Sequence, residues 1–498
     1  MNFFWESVCM VFPNFRCLLL MLAAAFTLAA YASSINAQPP ADRPDENLLA
    51  GQRALGVLRQ AAWTDLFNGR DLSGWTGDTQ GYTADNGILI CNKGGKNLYT
   101  EKPYGDFAFE FEFRLEASGN NGIGIRVPLN GHPSRDGMEI QILDHDGPLY
   151  QGEAMLADGK TQKLTWLKPW QMHGSVYGIV PAKTGYLRPV GEWNQQTVVA
   201  IDDHIIVILN GAVIVDAFLE DTVPVDGSPH PGSRNRSGHI ALAGHSDRVE
   251  FRNLRLADYS ASPTQPASDK HNSPPAGFQP LFNGTDLTGW KGLAHGNANE
   301  RRKLSGPALI EAQEKADAQM REHWSVVDGV LTYDGKGESL CTSRDYGDFE
   351  FYIDWKIPPG ADSGIYLRGT PQVQIWDPWD PRVKPGAPNP GTPEEWVTQY
   401  GNGRNLGSGG LWNNRRWRNA PTSLADRKPG EWNTFLIRMV GDRATIWLND
   451  KLIVDRVKLE NYWDQSGLTP LVRADQIELQ HHGSALYFRN LYIRELPW

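Results

Sequence analysis

Four cysteines in 498 residues, no cluster of lysine and arginine, and a single long apolar run set the first limits on this chain. So few cysteines cannot form the framework of a small disulfide-stapled fold. The net charge of −10 and the absence of a basic stripe exclude nucleic acid and other polyanions as partners, because phosphate recognition needs clustered cations. The signatures GxSxG, HExxH, GxGxxG and the Walker loop are all missing, and Gly335–Ser339 lacks the spacing of a phosphate loop. Nucleophilic serine or cysteine catalysis therefore has no support. The apolar run, Leu18–Ala30, follows Arg16 and is about 13 residues long, too short for a membrane span. Small residues follow it, with Ala30–Ala32 and Ala37 as candidate cleavage points, so residues 1–37 read as an export signal. No cysteine follows the run to carry a lipid, and no other segment is apolar enough to cross a bilayer. The expectation is an exported protein, periplasmic or extracellular.

What the chain does have is a duplication. Leu-Phe-Asn-Gly-x-Asp-Leu-x-Gly-Trp occurs at Leu66–Trp75 and at Leu281–Trp290. Three further anchors follow each copy in the same order. They are Tyr-Gly-Asp-Phe at Tyr104 and Tyr346, Gly-Glu-Trp-Asn at Gly191 and Gly430, and Phe-Arg-Asn-Leu at Phe251 and Phe488. Two copies of one domain of roughly 200 residues account for this. The boundaries read as 63–258 and 278–498. Residues 38–62 form a flexible lead with a short helix near Glu46–Arg59, and the Ser/Pro/Ala-rich stretch 259–277 is a linker. Cys9 and Cys17 belong to the signal. Cys91 and Cys341 lie at different distances from their Tyr-Gly-Asp-Phe anchors, so both are expected to be buried free thiols.

Within each copy the pattern is β. Phe107–Leu115 alternates apolar residues with Glu and Arg, the period of a half-buried strand, and Phe349–Ile357 is its counterpart. Asn210-Gly211 and Asn449-Asp450 mark hairpin turns between β-branched runs. Many short strands with glycine-rich turns indicate an all-β chain, two tandem antiparallel sandwiches of the jelly-roll type. The second copy is longer between its first two anchors, and Pro307–His323 in that insertion reads as an amphipathic helix.

Polar residues matched in both copies are the candidates for chemistry. Asn120–Arg126 matches Asp362–Arg368, and Glu139–Asp144 matches Gln372–Asp377. Glu139 and Gln141 share one strand face, since side chains repeat every second residue. Arg126 is expected to point at them from a neighbouring strand, with Asp144 just past the strand end. A histidine precedes the last anchor by six residues in each copy, His245 and His482, and imidazole titrates in the range suited to proton transfer. Tyr177 and Trp412 occupy matched positions where an aromatic ring can stack on a sugar. The acidic stretch Asp144–Gly147 does not fit an EF-hand loop; a divalent cation there stays open, and no other cofactor is indicated.

These motifs together resemble the 3-keto-disaccharide hydrolase domain family, over both copies. The resemblance implies a concanavalin-like jelly roll and action on glycosides oxidised at C3 of the sugar. A 3-keto group acidifies the C2 proton, so a base can remove it and expel the C1 substituent, after which water adds to the enone. His245, Glu139 or Asp144 would be the base. Arg126 would orient the keto sugar or stabilise the enolate, and Tyr177 would stack or donate a proton. The second copy offers Arg368, Gln374, Asp377 and His482, with Gln372 in place of Glu139 and Trp412 in place of Tyr177. The partners implied are an oligosaccharide or glycoside substrate and, upstream, an oxidoreductase that makes the keto sugar.

Two other readings compete. A tandem sandwich with an aromatic face is also the form of a carbohydrate-binding module. Glu139, Gln141 and Asp144 also follow the spacing of the acidic strand in jelly-roll glucanases, but a retaining glycosidase needs two carboxylates about 5 Å apart. The first copy has glutamine at the middle place, and the second keeps one acid of the three.

Overall fold

A computed structural model of the chain describes residues 45–155, 161–163, 166–225, 227–260, 272–380, 406–417, 419–464 and 466–498. The signal segment, the start of the lead and the middle of the linker lie outside these residues.

β-Branched and aromatic residues alternate with polar ones along most strands, and the strands pair antiparallel into two main sheets per copy, the first copy adding a two-stranded ribbon of Glu153–Met155 and Thr161–Lys163. In the first copy the large sheet runs Ala212–Phe218, His204–Leu209, Asn194–Ile201, Phe107–Leu115, Val249–Asp258, Ile88–Cys91, Tyr82–Asp85, and Trp63–Asp65 also pairs with Val249–Asp258. The small sheet holds Trp75–Gly77, Leu98–Thr100 and three strands that carry the site. These are β1 (Asn120–Val127), β2 (Met138–Leu143) and β3 (His239–Leu242), in the spatial order β3-β1-β2. Phe109, Phe111, Phe113, Ile123, Ile125, Ile140 and Ile142 meet between the sheets as one core.

The second copy repeats this plan. Its small sheet contains β4 (Asp362–Tyr366), β5 (Gln372–Trp376), β6 (Leu411–Trp412) and β7 (Glu478–Leu479), in the order β7-β4-β5-β6. The chain is therefore all-β, with two concanavalin-like jelly-roll sandwiches. Asn210 and Gly211 both have positive φ (49° and 90°), as do Asn449 and Asp450 (51° and 66°), which is the geometry of a two-residue hairpin turn. Cys91 and Cys341 are buried free thiols.

The insertion in the second copy forms two helices. Of the three helices that matter, α1 is Glu46–Leu58, α2 is Ala298–Arg301 and α3 is Gly306–His323. The α2 turn delivers Arg301 to Glu478 of β7 at 2.7 Å, and α3 packs its Ala316 backbone against Gly292. Among the described residues no helix is long and apolar enough to cross a membrane.

Phe107–Leu115 departs from the half-buried strand its alternation predicts. Its start is covered on both sides, and Ala108 is fully buried. The outer face of the large sheet is where other parts of the chain pack. Ala54 and Leu58 of α1, Val199, Ile206 and Val213 of the first copy, and Val440 and Leu496 of the second form one apolar cluster. Ions surround it. Arg438, 7% exposed, binds Glu350 of its own copy at 2.7 Å, and Asp106 and Asp202 of the first copy at 2.6 and 3.3 Å. At the matched place of the first copy stands Val199, so the residue that joins the two sandwiches is one in which they differ.

Candidate active site

The face of the small sheet that looks away from the core carries every second residue of β1 and β2. Gly122 and Gly124 lie there beside Glu139 and Gln141. These glycines are not needed for a turn. A Cβ on Gly122 would lie 2.5 Å from Glu139 Cδ and against its Oε1, so the missing side chain is the space the carboxylate occupies. Past β3, Ala243 N donates to Gly122 O at 2.8 Å and leads the chain to His245. His245 Nε2 then lies 3.3 Å from Glu139 Oε1. The Glu139 side chain is 2% exposed and that of His245 40%, so a buried acid holds an imidazole that opens to solvent. The hydrogen bond to Glu139 raises the His245 pKa, against the opposing effect of desolvation, and the Glu139 and Asp247 charges add to the rise.

Amides and aromatics surround the pair. Gln141 Nε2 donates to Asn120 Oδ1 at 2.9 Å, and Asp247 accepts from Asn120 N at 3.1 Å. Tyr177 N donates to Glu139 O, which sets the Tyr177 ring on the same face, and Gln171 Nε2 donates to the Tyr177 hydroxyl at 3.0 Å. Trp166, 56% exposed, lies 5.9 Å from the buried ring of Tyr150. Asn120, Asp247, Gln171 and Trp166 were not singled out by sequence. Asn120 lies inside a matched segment, whereas the others fall in loops that carry no repeat signal.

Four expected site residues lie elsewhere. Arg126 has φ 51° and Arg368 φ 50°, and this left-handed turn at the end of the strand swings each side chain off the alternating face. Arg126 is fully buried and donates to Gly105 O, Asp202 O and Asn235 O, with Asp106 at 3.1 Å. Arg368 is equally buried, bonded to Arg473 O and Gly441 O, with Asp348 at 3.4 Å. Desolvation pulls both guanidinium pKa values down to about 10, as expected of closed structural sites. Neither can meet a sugar, which corrects the role given to them. Asp144 accepts from Ser118 N at 2.8 Å, and Asp377 from Gly360 N and Trp379 N at 2.9 and 2.8 Å. These carboxylates tie down the turn that enters β1 or β4 and do not join the Glu139–His245 pair, which corrects their placing as bases.

In the second copy the same backbone carries a different set. Gly364 leaves room for Gln372, whose Cδ would be 2.5 Å from an added Cβ. Gln480 N donates to Gly364 O at 2.8 Å, which places Gln480 at the position of Ala243 and His482 at that of His245. Gln372 Nε2 donates to Gln480 Oε1 at 2.6 Å, and Gln374 Nε2 to Asp362 Oδ1 at 2.5 Å. His482 is exposed, and its ring makes no ion pair or hydrogen bond among the described residues. Trp412 pairs with Gln372 across β5 and β6, is 41% exposed, and meets Trp376 edge-on at 6.3 Å.

Among the described residues no group of three or more His, Cys, Asp and Glu side chains converges to hold a metal ion. His173 is spent on structure. It accepts from Leu143 N at 3.1 Å, reaches Gln196 Oε1 of the other sheet at 3.0 Å, and burial lowers its pKa to about 3.

A fold alone fixes no function, but a sheet face lined by amides and aromatic rings is suited to a sugar. The chain belongs to the 3-keto-alpha-glucoside-1,2-lyase-like domain family, which matches residues 62–257 and again 277–494. A 3-keto-disaccharide hydrolase of Bacteroides thetaiotaomicron is 21% identical over 234 residues, covering 38% of this chain and 76% of the relative. A solved structure of a glycosyl-hydrolase candidate from Parabacteroides distasonis is 25% identical. It covers 41% of this chain and 96% of its own, with a TM-score of 0.34. A carbohydrate-binding module of Bacillus subtilis is 13% identical over 39% of this chain and 95% of its own, with a TM-score of 0.21.

Proposed function

We propose that the first copy cleaves 3-keto-glycosides by β-elimination and hydration, with His245 as the base and Glu139 as the group that orients it. The observation that carries this reading is the 3.3 Å contact of His245 with a buried carboxylate on the open sheet face. Glu139 accepts from Nε2, so Nδ1 is the free proton acceptor. Nδ1 takes the C2 proton, the C2–H electron pair moves toward C3 as an enolate, and the C1–O bond breaks. The departing oxygen takes a proton, from His245 or from the Tyr177 hydroxyl. Water then adds across the C1–C2 double bond, its oxygen to C1 and a proton to C2, which returns the catalytic groups to their starting protonation, and the sum is hydrolysis. Amide N–H groups of Gln141 and Asn120 are the donors to the enolate oxygen in place of Arg126. Export by residues 1–37 and supply of the keto sugar by a sugar oxidoreductase complete the proposal. The family match and the name of the Bacteroides relative support the substrate class.

The test is turnover of 3-keto-trehalose and of trehalose, with and without EDTA, followed by enone absorbance and glucose release. Only the keto sugar should be consumed. His245→Ala should lower kcat/KM by roughly 10²- to 10⁴-fold, the range for loss of a general base, and His482→Ala should not. Equal turnover in both variants, or consumption of trehalose itself, refutes the assignment. Loss of activity with EDTA adds a divalent cation to the site.

A further inference from the structure

We infer that the open face of the second small sheet binds neutral, unoxidised oligosaccharides and performs no chemistry on them. This rests on the reading of the first copy as the catalytic one. Where the first copy has the carboxylate of Glu139 the second has Gln372, and its amide bonds at 2.6 Å to Gln480, which stands where the first copy has Ala243. Amides neither accept nor release a proton near neutral pH, and among the described residues no carboxylate pairs with His482.

The way the amides are used indicates the ligand. The N–H groups of Gln372 go to Ser363 O and Gln480 Oε1. Those of Gln374 go to Asp362 Oδ1 and Ser363 O. The carbonyl oxygens of Gln372 and Gln374, residues 2% and 3% exposed, take no hydrogen bond among the described residues, and such an acceptor is one that a sugar hydroxyl satisfies and a ketone cannot. Trp412 is beside them, larger than the Tyr177 it replaces, 41% exposed and braced edge-on by Trp376. An apolar ring next to hydroxyl acceptors suits a pyranose with its hydroxyls intact. The two faces thus divide the oxidation states of one sugar, the first taking the keto form and the second the hydroxyl form.

The test is calorimetric titration of the full chain with trehalose and maltotriose, two unoxidised probes, and with 3-keto-trehalose. The expected result is saturable binding of an unoxidised probe, with 3-keto-trehalose roughly 3- to 10-fold weaker at the same site for the lost hydroxyl donor. Trp412→Ala and, as a second variant on a half-buried residue, Gln480→Ala should each weaken that binding by about tenfold or more. No binding of either unoxidised probe at 20 mM, or equal affinity in both variants, overturns the inference. So does keto turnover that survives His245→Ala and is lost in His482→Ala. The first copy does not consume the two unoxidised probes, and the keto probe is titrated into the His245→Ala chain, so the test can fail while the catalytic reading stands, and the reverse also holds.

Discussion

Replacing Gly122 by alanine adds one methyl group and should cost most of the activity. The backbone at Gly122 is ordinary strand, so alanine fits its φ and ψ, and the loss of unfolded-state freedom favours the variant by about 0.4–1 kcal/mol. The added Cβ would sit 2.5 Å from Glu139 Cδ, which no packed side chain tolerates. Glu139 must leave its place. An off-rotamer side chain costs roughly 0.5–1.5 kcal/mol, and the 3.3 Å bond that orients His245 is lost. The two stability effects nearly cancel, so Tm should move by no more than about 4 °C at 2–4 °C per kcal/mol. The catalytic effect has no such offset. Losing the oriented base costs about 10²- to 10⁴-fold in kcat/KM, or roughly 3–5 kcal/mol of transition-state stabilisation. Steady-state turnover of 3-keto-trehalose and a calorimetric scan read the two quantities. Gly364→Ala is the internal control, since it displaces Gln372 by the same geometry and should leave turnover within about twofold. In a Glu139→Ala background Gly122→Ala should have no further effect. Turnover within threefold of the parent in Gly122→Ala refutes the link between this glycine, the carboxylate and catalysis.

Further outcomes follow from the same structure. Because Glu139 raises the His245 pKa and the neutral imidazole is the base, kcat/KM should climb as pH rises through that raised value and level off above it. Glu139→Gln should move this limb to lower pH and lower the plateau, and a limb that does not move rejects the pairing. The same pair contributes to folding stability fully below the unfolded histidine pKa of about 6.5, and that contribution fades as pH rises through the folded value. Arg438→Met strips Glu350, Asp106 and Asp202 of a shared cation and should cost about 3–5 kcal/mol, visible in calorimetry as a fall on the order of 10 °C or as two separated transitions. Burial raises both the Cys91 and Cys341 thiol pKa values, so neither should react with a thiol reagent until the protein is denatured.

The alternation of Phe107–Leu115, the hairpin dipeptides and the helix in the insertion were all legible in the sequence, because each is a local pattern. The site was legible in part. Glu139, Gln141, Tyr177 and His245, picked out by the repeat, lie together on one face. Arg126, Asp144, Arg368 and Asp377 misled, because identity between the copies marks what both must keep to fold. The repeated Asn-x-x-Asp turn is of this kind, with Asn68 and Asp71 bonded at 2.7 Å and Asn283 and Asp286 at the same distance. So is Trp193 between Arg114 and Arg252, mirrored by Trp432 between Lys356 and Arg489. The proposed chemistry sits where the copies diverge, at Glu139 against Gln372. The left-handed backbone that turns Arg126 away from the face leaves no mark in a spacing rule, and neither does the loop that carries Asp247.

Asp106 stabilises Arg126 at its own corner and Arg438 of the other sandwich, with one oxygen for each. A gene fragment ending at Asp258 would still encode every residue of the proposed catalytic face. It would also bare Ala108, Val199 and Ile206 to water and leave Asp202 without its cation. Such a half would be an unpaired protomer, prone to associate with its own kind. What began as a repetition now shares one apolar cluster and one ionic network, so cutting the thread between the halves would expose both.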